Sequence, residues 1–431
     1  MMTVPFRFIR FLVRSSSLLG LLLAPIIASA NLEGEAPPVT LTLDEVVSLV
    51  VKHNPSLRVA QSGIEQATAA IKTAGALPNP RLESIMGSNR AAIPTALGGQ
   101  VTGLAFSQLF ENPNLRKARM SAADFGRDAS VHSLAVTTNE LSAQVRTKAY
   151  EHLLRKDESR ATLDALNLLE QIRQKVKVRV ESGEAARYEI IKADAEVISA
   201  RQKYHTAVLQ TEQSLLALNR LAGGQLPQKW QLRESLSDPI ETPSLAETLA
   251  QAHQNNPELK LLQAEVRKRQ AKLAESKSSR WPGIELRFGQ QREPEIRQNV
   301  ISASIQIPLF DQRVGPIQEA EADFKRLSLQ LEGRQIDLEQ QINLAWKSIE
   351  IARIRVNALS TGAVREAQSA LMVAEAAYRF GERGILDVLD AQRVLRTVNA
   401  DLLDAKYQYQ IAKIELNFLA GSDAKRTLTS H

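Results

Sequence analysis

Ile301-Ser302-Ala303-Ser304-Ile305-Gln306-Ile307 alternates apolar and polar side chains without a break. Successive residues of a strand point to opposite sides of the pleat, so this period of two marks a strand with one apolar and one polar face. Upstream, Ile284-Glu285-Leu286-Arg287-Phe288 alternates in the same way, and the polar run Gly289 to Asn299 joins the two as a hairpin. A weaker pair precedes it: Arg81 to Met86, then a loop rich in Gly and Ala, then Thr102 to Gln108. There Leu104 and Phe106 share one face, and Gly103, Ala105 and Ser107 share the other.

Outward from these strands the period changes to that of helices. Leu43 to Ala76 and Ser244 to Arg280 carry helical spacing, each ending before a proline. After the strands, Leu115 to Glu181 and Val314 to Phe380 are each 67 residues of helix-forming sequence, on the order of 100 Å at about 1.5 Å per residue. Both run into a glycine turn and a return helix. Leu395, Val398, Leu402, Ala405, Tyr409, Ala412, Leu416 and Leu419 hold the 3-4 spacing of a coiled-coil seam. Val197, Ala200, Tyr204, Ala207, Thr211, Ser214, Leu218 and Leu221 repeat it 198 residues earlier.

That interval recurs along the chain. Leu218-Asn219-Arg220-Leu221-Ala222-Gly223 returns as Leu416-Asn417-Phe418-Leu419-Ala420-Gly421, and Gly183-Glu184 as Gly381-Glu382. Asn54-Pro55-Ser56-Leu57 returns as Asn256-Pro257-Glu258-Leu259. Units this long are an internal duplication, not solenoid repeats. The expected organisation is a leader over 1–30, a first repeat over 31–243, a second over 244–421 and a tail over 422–431.

The leader is read from Arg7, Arg10 and Arg14, the apolar run Leu18 to Ile27, and Ala28-Ser29-Ala30, a small-x-small cleavage pattern. Those arginines account for three of the +6 formal charges of the 431-residue chain. What remains is no footprint for nucleic acid, which is excluded as a partner. Zero cysteines exclude disulfides and thiolate sites. Six scattered histidines, His53 and His253 among them, form no H-E-x-x-H pair, and no phosphate loop or Ser/His/Asp setting occurs. No catalytic residue, cofactor or metal site is assigned, and the expectation is a protein that is not an enzyme.

No stretch of 18 uninterrupted apolar residues occurs, so a membrane would be crossed by strands. Four strands cannot close a barrel, for which about 8 is the minimum. Three chains would supply 12, with Ser302, Ser304 and Gln306 towards water and Ile301, Ala303, Ile305 and Ile307 towards lipid. The expected fold class is therefore α+β: mostly long coiled-coil helices, with two hairpins giving four strands to a trimeric, 12-stranded membrane barrel.

Tyr378-Arg379-Phe380-Gly381-Glu382-Arg383-Gly384-Ile385-Leu386-Asp387-Val388-Leu389-Asp390-Ala391-Gln392 closely resembles the periplasmic-tip motif of TolC-family outer-membrane channels. The doubled architecture, the Leu-Asn-x-Leu-Ala-Gly ends and Pro308-Leu309-Phe310 extend the resemblance over essentially all of the chain after residue 30. It implies a homotrimer with its barrel in outer-membrane lipid and a helical tunnel across the periplasm, opened by a periplasmic adaptor and an inner-membrane pump. Asp387 and Asp390 match the family's carboxylate rings at the constriction. Tyr378 and Arg383 match the residues that hold the inner hairpin shut, and Gly183, Glu184, Gly381 and Glu382 fall at the adaptor-docking tips. Glu189 and Lys192 stand where the first repeat would carry the aspartates, which makes that repeat the outer hairpin.

By spacing alone, Asp387 and Asp390 share a helix face that reads as a solvated one, and only the surrounding motif favours a gate. Leu77-Pro78-Asn79-Pro80-Arg81-Leu82 and Gln108-Leu109-Phe110-Glu111 look similar to the CzcC-like heavy-metal branch, although Asn114-Leu115-Arg116-Lys117 departs from its pattern. The implied function is the exit channel of a tripartite efflux system, with heavy-metal cations as one candidate cargo. The alternatives are the exit duct of a type I secretion system and a secreted coiled-coil scaffold or adaptor.

Overall fold

The computed structural model describes residues 39–237 and 244–422. The expected leader, the boundary at residue 243 and all but the first residue of the expected tail lie outside them. The first elements are a short strand β1 (Val39–Leu41), α1 (Leu43–His53) and α2 (Pro55–Gly75), followed by β2 (Arg81–Asn89) and β3 (Gly99–Phe110). Helix α3 (Pro113–Glu181) runs 69 residues without interruption, and α4 (Arg187–Leu221) returns alongside it. After the short strand β4 (Trp230–Leu232), the order repeats: α5 (Leu245–Asn255), α6 (Pro257–Ser278), β5 (Ile284–Arg292), β6 (Arg297–Ile305), α7 (Val314–Ala358), α8 (Val364–Arg379) and α9 (Ile385–Ala420).

Local chemistry sets the helix starts twice over. Thr42 and Ser244 each accept from the amide three residues on, and Glu45 and Glu247 reach back to the cap amide, giving a capping box at both repeats. The opening segments, expected as single helices, are each broken at an Asn-Pro pair. Asn54 and Asn256 cap the helices that begin at Pro55 and Pro257, because a residue before proline is driven out of the helical region.

The same asparagines explain the Leu-Asn-x-Leu-Ala-Gly ends. Asn54 Nδ2 donates to the Leu221 carbonyl at 2.9 Å, and Asn256 Nδ2 donates to the Leu419 carbonyl at 2.9 Å. Each Asn-Pro break therefore docks on the C-terminus of a return helix. Gly421 sits there at φ +68, and a Cβ on it would lie 2.7 Å from the Asn255 carbonyl oxygen. Gly421→Ala is expected to cost at least about 2 kcal/mol, from the left-handed backbone and the clash together. Gly381→Ala, also at positive φ but with nothing within 4 Å, should cost about 1 kcal/mol. Thermal melting of the detergent-extracted protein checks this, and equal shifts for the two variants would discount the docking contact.

Three apolar clusters stack along the helices. Val46, Val50, Val145, Leu218, Trp230 and Leu232 form one, and Leu259, Leu338, Ile342, Leu416 and Leu419 form its counterpart in the second repeat. The third gathers Leu169, Ile172, Val176, Leu371, Ile385 and Val388 near the glycine turns. The parallel pairing of β1 with β4 closes over the first cluster. Strands of three residues carry too little periodicity to be read in the sequence.

Next to the first cluster, His152 Nδ1 lies 2.8 Å from Ser214 Oγ, which itself donates to the Thr211 carbonyl at 2.6 Å. Ser214 therefore accepts from Nδ1–H of a neutral imidazole. Burial first, then the nearby Lys156, hold the His152 pKa below its ordinary value. A depressed folded-state pKa gives stability that is present above the unfolded value of about 6.5 and is lost as pH falls through the folded value. The melting temperature is expected to fall between pH 7 and pH 5, and His152→Gln should flatten part of that slope. Identical slopes would remove His152 from the account.

The second long helix is not continuous as α3 is. A π-helical turn over Leu359–Ala363 separates α7 from α8. Thr361 Oγ1 donates to the Asn357 carbonyl at 2.7 Å and Ser360 Oγ to the same oxygen at 3.4 Å. Hydroxyls bonding back to the preceding turn compete with the i→i−4 ladder.

Strands β2, β3, β5 and β6 form one antiparallel sheet in that order. All four are longer than the alternating runs suggest, and the second loop shortens to the residues between Arg292 and Arg297 because Arg292 pairs with Arg297. Ile307, expected at the end of the last strand, lies beyond β6. Pairing of β3 with β5 joins the two hairpins, placing Leu82, Phe106, Phe288 and Ile301 in one row across one face. All four are exposed, as are Phe110, Ile284 and Ile305 in a parallel row. On the opposite face Ser107, Arg287 and Ser302 align, and Arg287 pairs with Glu83 at 2.6 Å. In β3, Ala105 and Ser107 are buried while Leu104 and Phe106 are exposed, which fixes its register.

Candidate functional site

The two glycine turns have the same construction. After α3, the Gly183 amide donates to the Val180 carbonyl and the Glu184 amide to the Arg179 carbonyl. After α8, the Gly381 amide donates to Tyr378 and the Glu382 amide to Ala377. This double closure needs a left-handed residue, supplied by Gly183 at φ +80 and Gly381 at φ +75. Gly183, Glu184, Gly381 and Glu382 are all exposed.

Between the two helical hairpins, Tyr378 is the hub. It is only 8% exposed, packed among Val176, Ile385 and Val388. Its hydroxyl donates to Glu189 Oε2 at 3.1 Å, near the start of α4. Arg179, near the end of α3, donates from Nη1 to the Tyr378 carbonyl at 2.9 Å and lays its guanidinium 4.6 Å from the ring centroid. Burial first, then the Glu189 carboxylate, raise the Tyr378 pKa, so the phenol stays a donor. Beside this hub, Arg393 of α9 donates to Glu196 of α4 at 3.0 Å and to Asp390 at 3.2 Å.

Asp387 and Asp390 lie on the first turns of α9, with side chains 46% and 70% exposed. Each has an arginine three or four residues away: Arg383, in the turn before α9, is 3.7 Å from Asp387, and Arg393 of α9 is 3.2 Å from Asp390. Arg383 therefore pairs within its hairpin in this chain, while Tyr378 reaches the other hairpin. Arg179, Arg393 and Glu196 were not singled out by the sequence, and nothing local could have found them, because their partners lie about two hundred residues away. Glu189 was visible only as the counterpart of Asp387 in the first repeat.

No helix among the described residues is long and apolar enough to cross a membrane, and no group of three or more His, Cys, Asp or Glu among them could hold a metal ion.

The family described as "Outer membrane efflux protein" matches residues 46–224 and 248–422. Among curated proteins, the chain is 25% identical over 366 residues to the cobalt-zinc-cadmium resistance protein CzcC of Cupriavidus metallidurans, covering 82% of this chain and 84% of that one. It is 29% identical to the outer membrane protein TolC of Escherichia coli over 135 residues, 31% of this chain and 27% of that one. Among solved structures, CusC superposes with a TM-score of 0.76 at 18% identity, covering 91% of this chain and 95% of that one. A membrane protein from Pseudomonas aeruginosa superposes with a TM-score of 0.76 at 21% identity over 91% and 94%. The chain belongs to the outer membrane efflux protein family: it is the outer-membrane channel component of a tripartite efflux system.

Proposed function

We propose that three copies of the chain close one 12-stranded barrel in the outer membrane and continue it as a helical tunnel through the periplasm, carrying heavy-metal cations outward. The observation that supports this most is the four-stranded sheet with an exposed apolar face and two unpaired edges, β2 and β6. An open edge in lipid leaves backbone groups unsatisfied. Because every neighbour is antiparallel, β6 of one copy meets β2 of the next antiparallel as well, and the ring closes without an exception. Two exposed apolar stripes support the same association: Ile191, Ile198, Leu209 and Leu216 on α4, and Leu329, Ile336, Leu344 and Ile351 on α7. Their heptad-like spacing suits helices of neighbouring copies.

On this reading residues 31–243 and 244–421 are two repeats, the first forming the outer hairpin and the second the inner. Asp387 and Asp390 converge at the periplasmic constriction, and Tyr378 with Arg383 restrains it. The turns at Gly183-Glu184 and Gly381-Glu382 receive a periplasmic adaptor, which couples the duct to an inner-membrane pump. Likeness over 82% of the chain to a cobalt-zinc-cadmium resistance protein supports divalent cations as cargo.

The chain contains no cysteine, so a cysteine at Asn299 in β6 combined with a scan through β2 gives a clean background. Oxidation in isolated membranes should give a covalent trimer at one register. Monomers at every position would refute the shared barrel. A deletion strain should lose tolerance to cobalt, zinc or cadmium, and unchanged tolerance with new drug sensitivity would refute the cargo.

A further inference from the structure

The row of the sheet next to its loop end differs from the rows below it. Met86, Thr102, Arg292 and Arg297 are aligned there on the same face as Phe106, Phe288 and Ile301. Arg292 and Arg297 are direct cross-strand partners, both exposed, with Cα atoms roughly 5 Å apart as such partners are. Like charges directly opposite each other oppose pairing, yet neither arginine has an ion pair among the described residues. The acids nearby are engaged elsewhere. Glu293 takes hydrogen bonds from Asn89 and Gln291, Glu295 takes one from the Leu97 amide, and Glu83 pairs with Arg287 on the other face. Closure of the barrel supplies no carboxylate either: β2, the strand a neighbour would lay beside β6, carries Ser84, Met86 and Ser88 on this face and has Glu83 as its single acid.

Position along the strand names the complement. From Ile284, in the first apolar row, to Arg292 is eight residues, or about 26 Å at 3.3 Å per residue. With a strand tilt of 35–45° this is roughly 20 Å along the membrane normal, against an apolar band of about 25 Å. Exposed Trp281 and Phe310 flank the opposite, helix-proximal end of the sheet, as an aromatic girdle does. The arginines thus stand where hydrocarbon gives way to headgroups, in the leaflet away from the helices.

We propose that Arg292 and Arg297 clamp the phosphate of an anionic glycolipid headgroup of the outer leaflet, one per chain. This rests on the barrel reading above. Guanidinium forks match phosphate oxygens bidentately, and one phosphate between them turns a repulsive cross-strand pair into a bridged one.

The test is native mass spectrometry of the detergent-extracted trimer titrated with diphosphorylated lipid A, with phosphatidylcholine and inorganic phosphate as separate arms. Wild type should retain lipid A in preference to phosphatidylcholine, and Arg292→Gln with Arg297→Gln should weaken that retention by about tenfold. Arg292→Lys with Arg297→Lys should recover part of it. Equal retention by wild type and the Gln variant, no preference over phosphatidylcholine, or displacement by millimolar inorganic phosphate would each overturn the clamp. Oligomer mass is read in the same spectra: a monomer refutes the barrel itself, whereas a trimer that holds lipid A without the arginines refutes the clamp alone.

Discussion

A channel carrying Tyr378→Phe together with Arg179→Ala is expected to leak, with a resting conductance far above wild type in planar bilayers. The hydroxyl removed belongs to a buried side chain and donates at 3.1 Å to a carboxylate, a class of bond worth about 1.5–3 kcal/mol. The guanidinium removed lies 4.6 Å from the ring centroid, worth about 0.5–2 kcal/mol. Together they restrain each protomer by at least about 2 kcal/mol, and at 1.4 kcal/mol per decade the closed-to-open ratio should fall roughly thirtyfold or more. Glu189→Gln keeps an acceptor for the phenol and should act more weakly. Lys192→Ala, whose ammonium only overlies Tyr188 at 5.7 Å, should do nothing. A double variant with wild-type resting current would show that these contacts shape the hairpins without restraining the pore.

Asp387→Ala with Asp390→Ala should abolish cation preference and block by divalent or trivalent cations from the periplasmic side. The arginines at 3.7 and 3.2 Å do not cancel this expectation, since exposed pairs of that kind are worth about 0–1 kcal/mol. On the trimeric reading proposed above, six carboxylates would converge and repel one another unless a cation sat among them. A single pair of unit charges 4 Å apart near a protein surface already amounts to about 4 kcal/mol, so loss of the ring should weaken block by at least roughly a hundredfold. Arg393 occupies Asp390 and Glu196 at once, and Arg393→Ala should therefore tighten block by freeing both. If the double alanine variant keeps wild-type selectivity and block, the two aspartates are a solvated helix face.

Much of this protein is dictated by windows of a few residues, and those parts are legible in the chain. The alternation of Ile301 to Ile305 fixes a strand with two unlike faces. The seam from Leu395 to Leu419 fixes a helix with one buried stripe, and every one of those positions is at least partly buried. Glycines 183 and 381 mark the turns because only a residue at ease with positive φ closes both helices in that way. Duplication of the chain is visible because each repeat keeps the same caps and turns.

The tertiary structure alone decided what meets across long separations. Pairing of Phe110 with Ile284 merges the two hairpins into one sheet. Arg179, Glu189 and Tyr378 come together because the third apolar cluster packs both helical hairpins side by side. Arg383, in the turn before α9, lies beside Asp387, and Arg393 bridges to Glu196. Composition and spacing specify the period and the ends of an element through sterics and backbone hydrogen bonding. Which polar groups find each other is settled by packing of faces far apart in sequence, where no local preference distinguishes one arginine from the next.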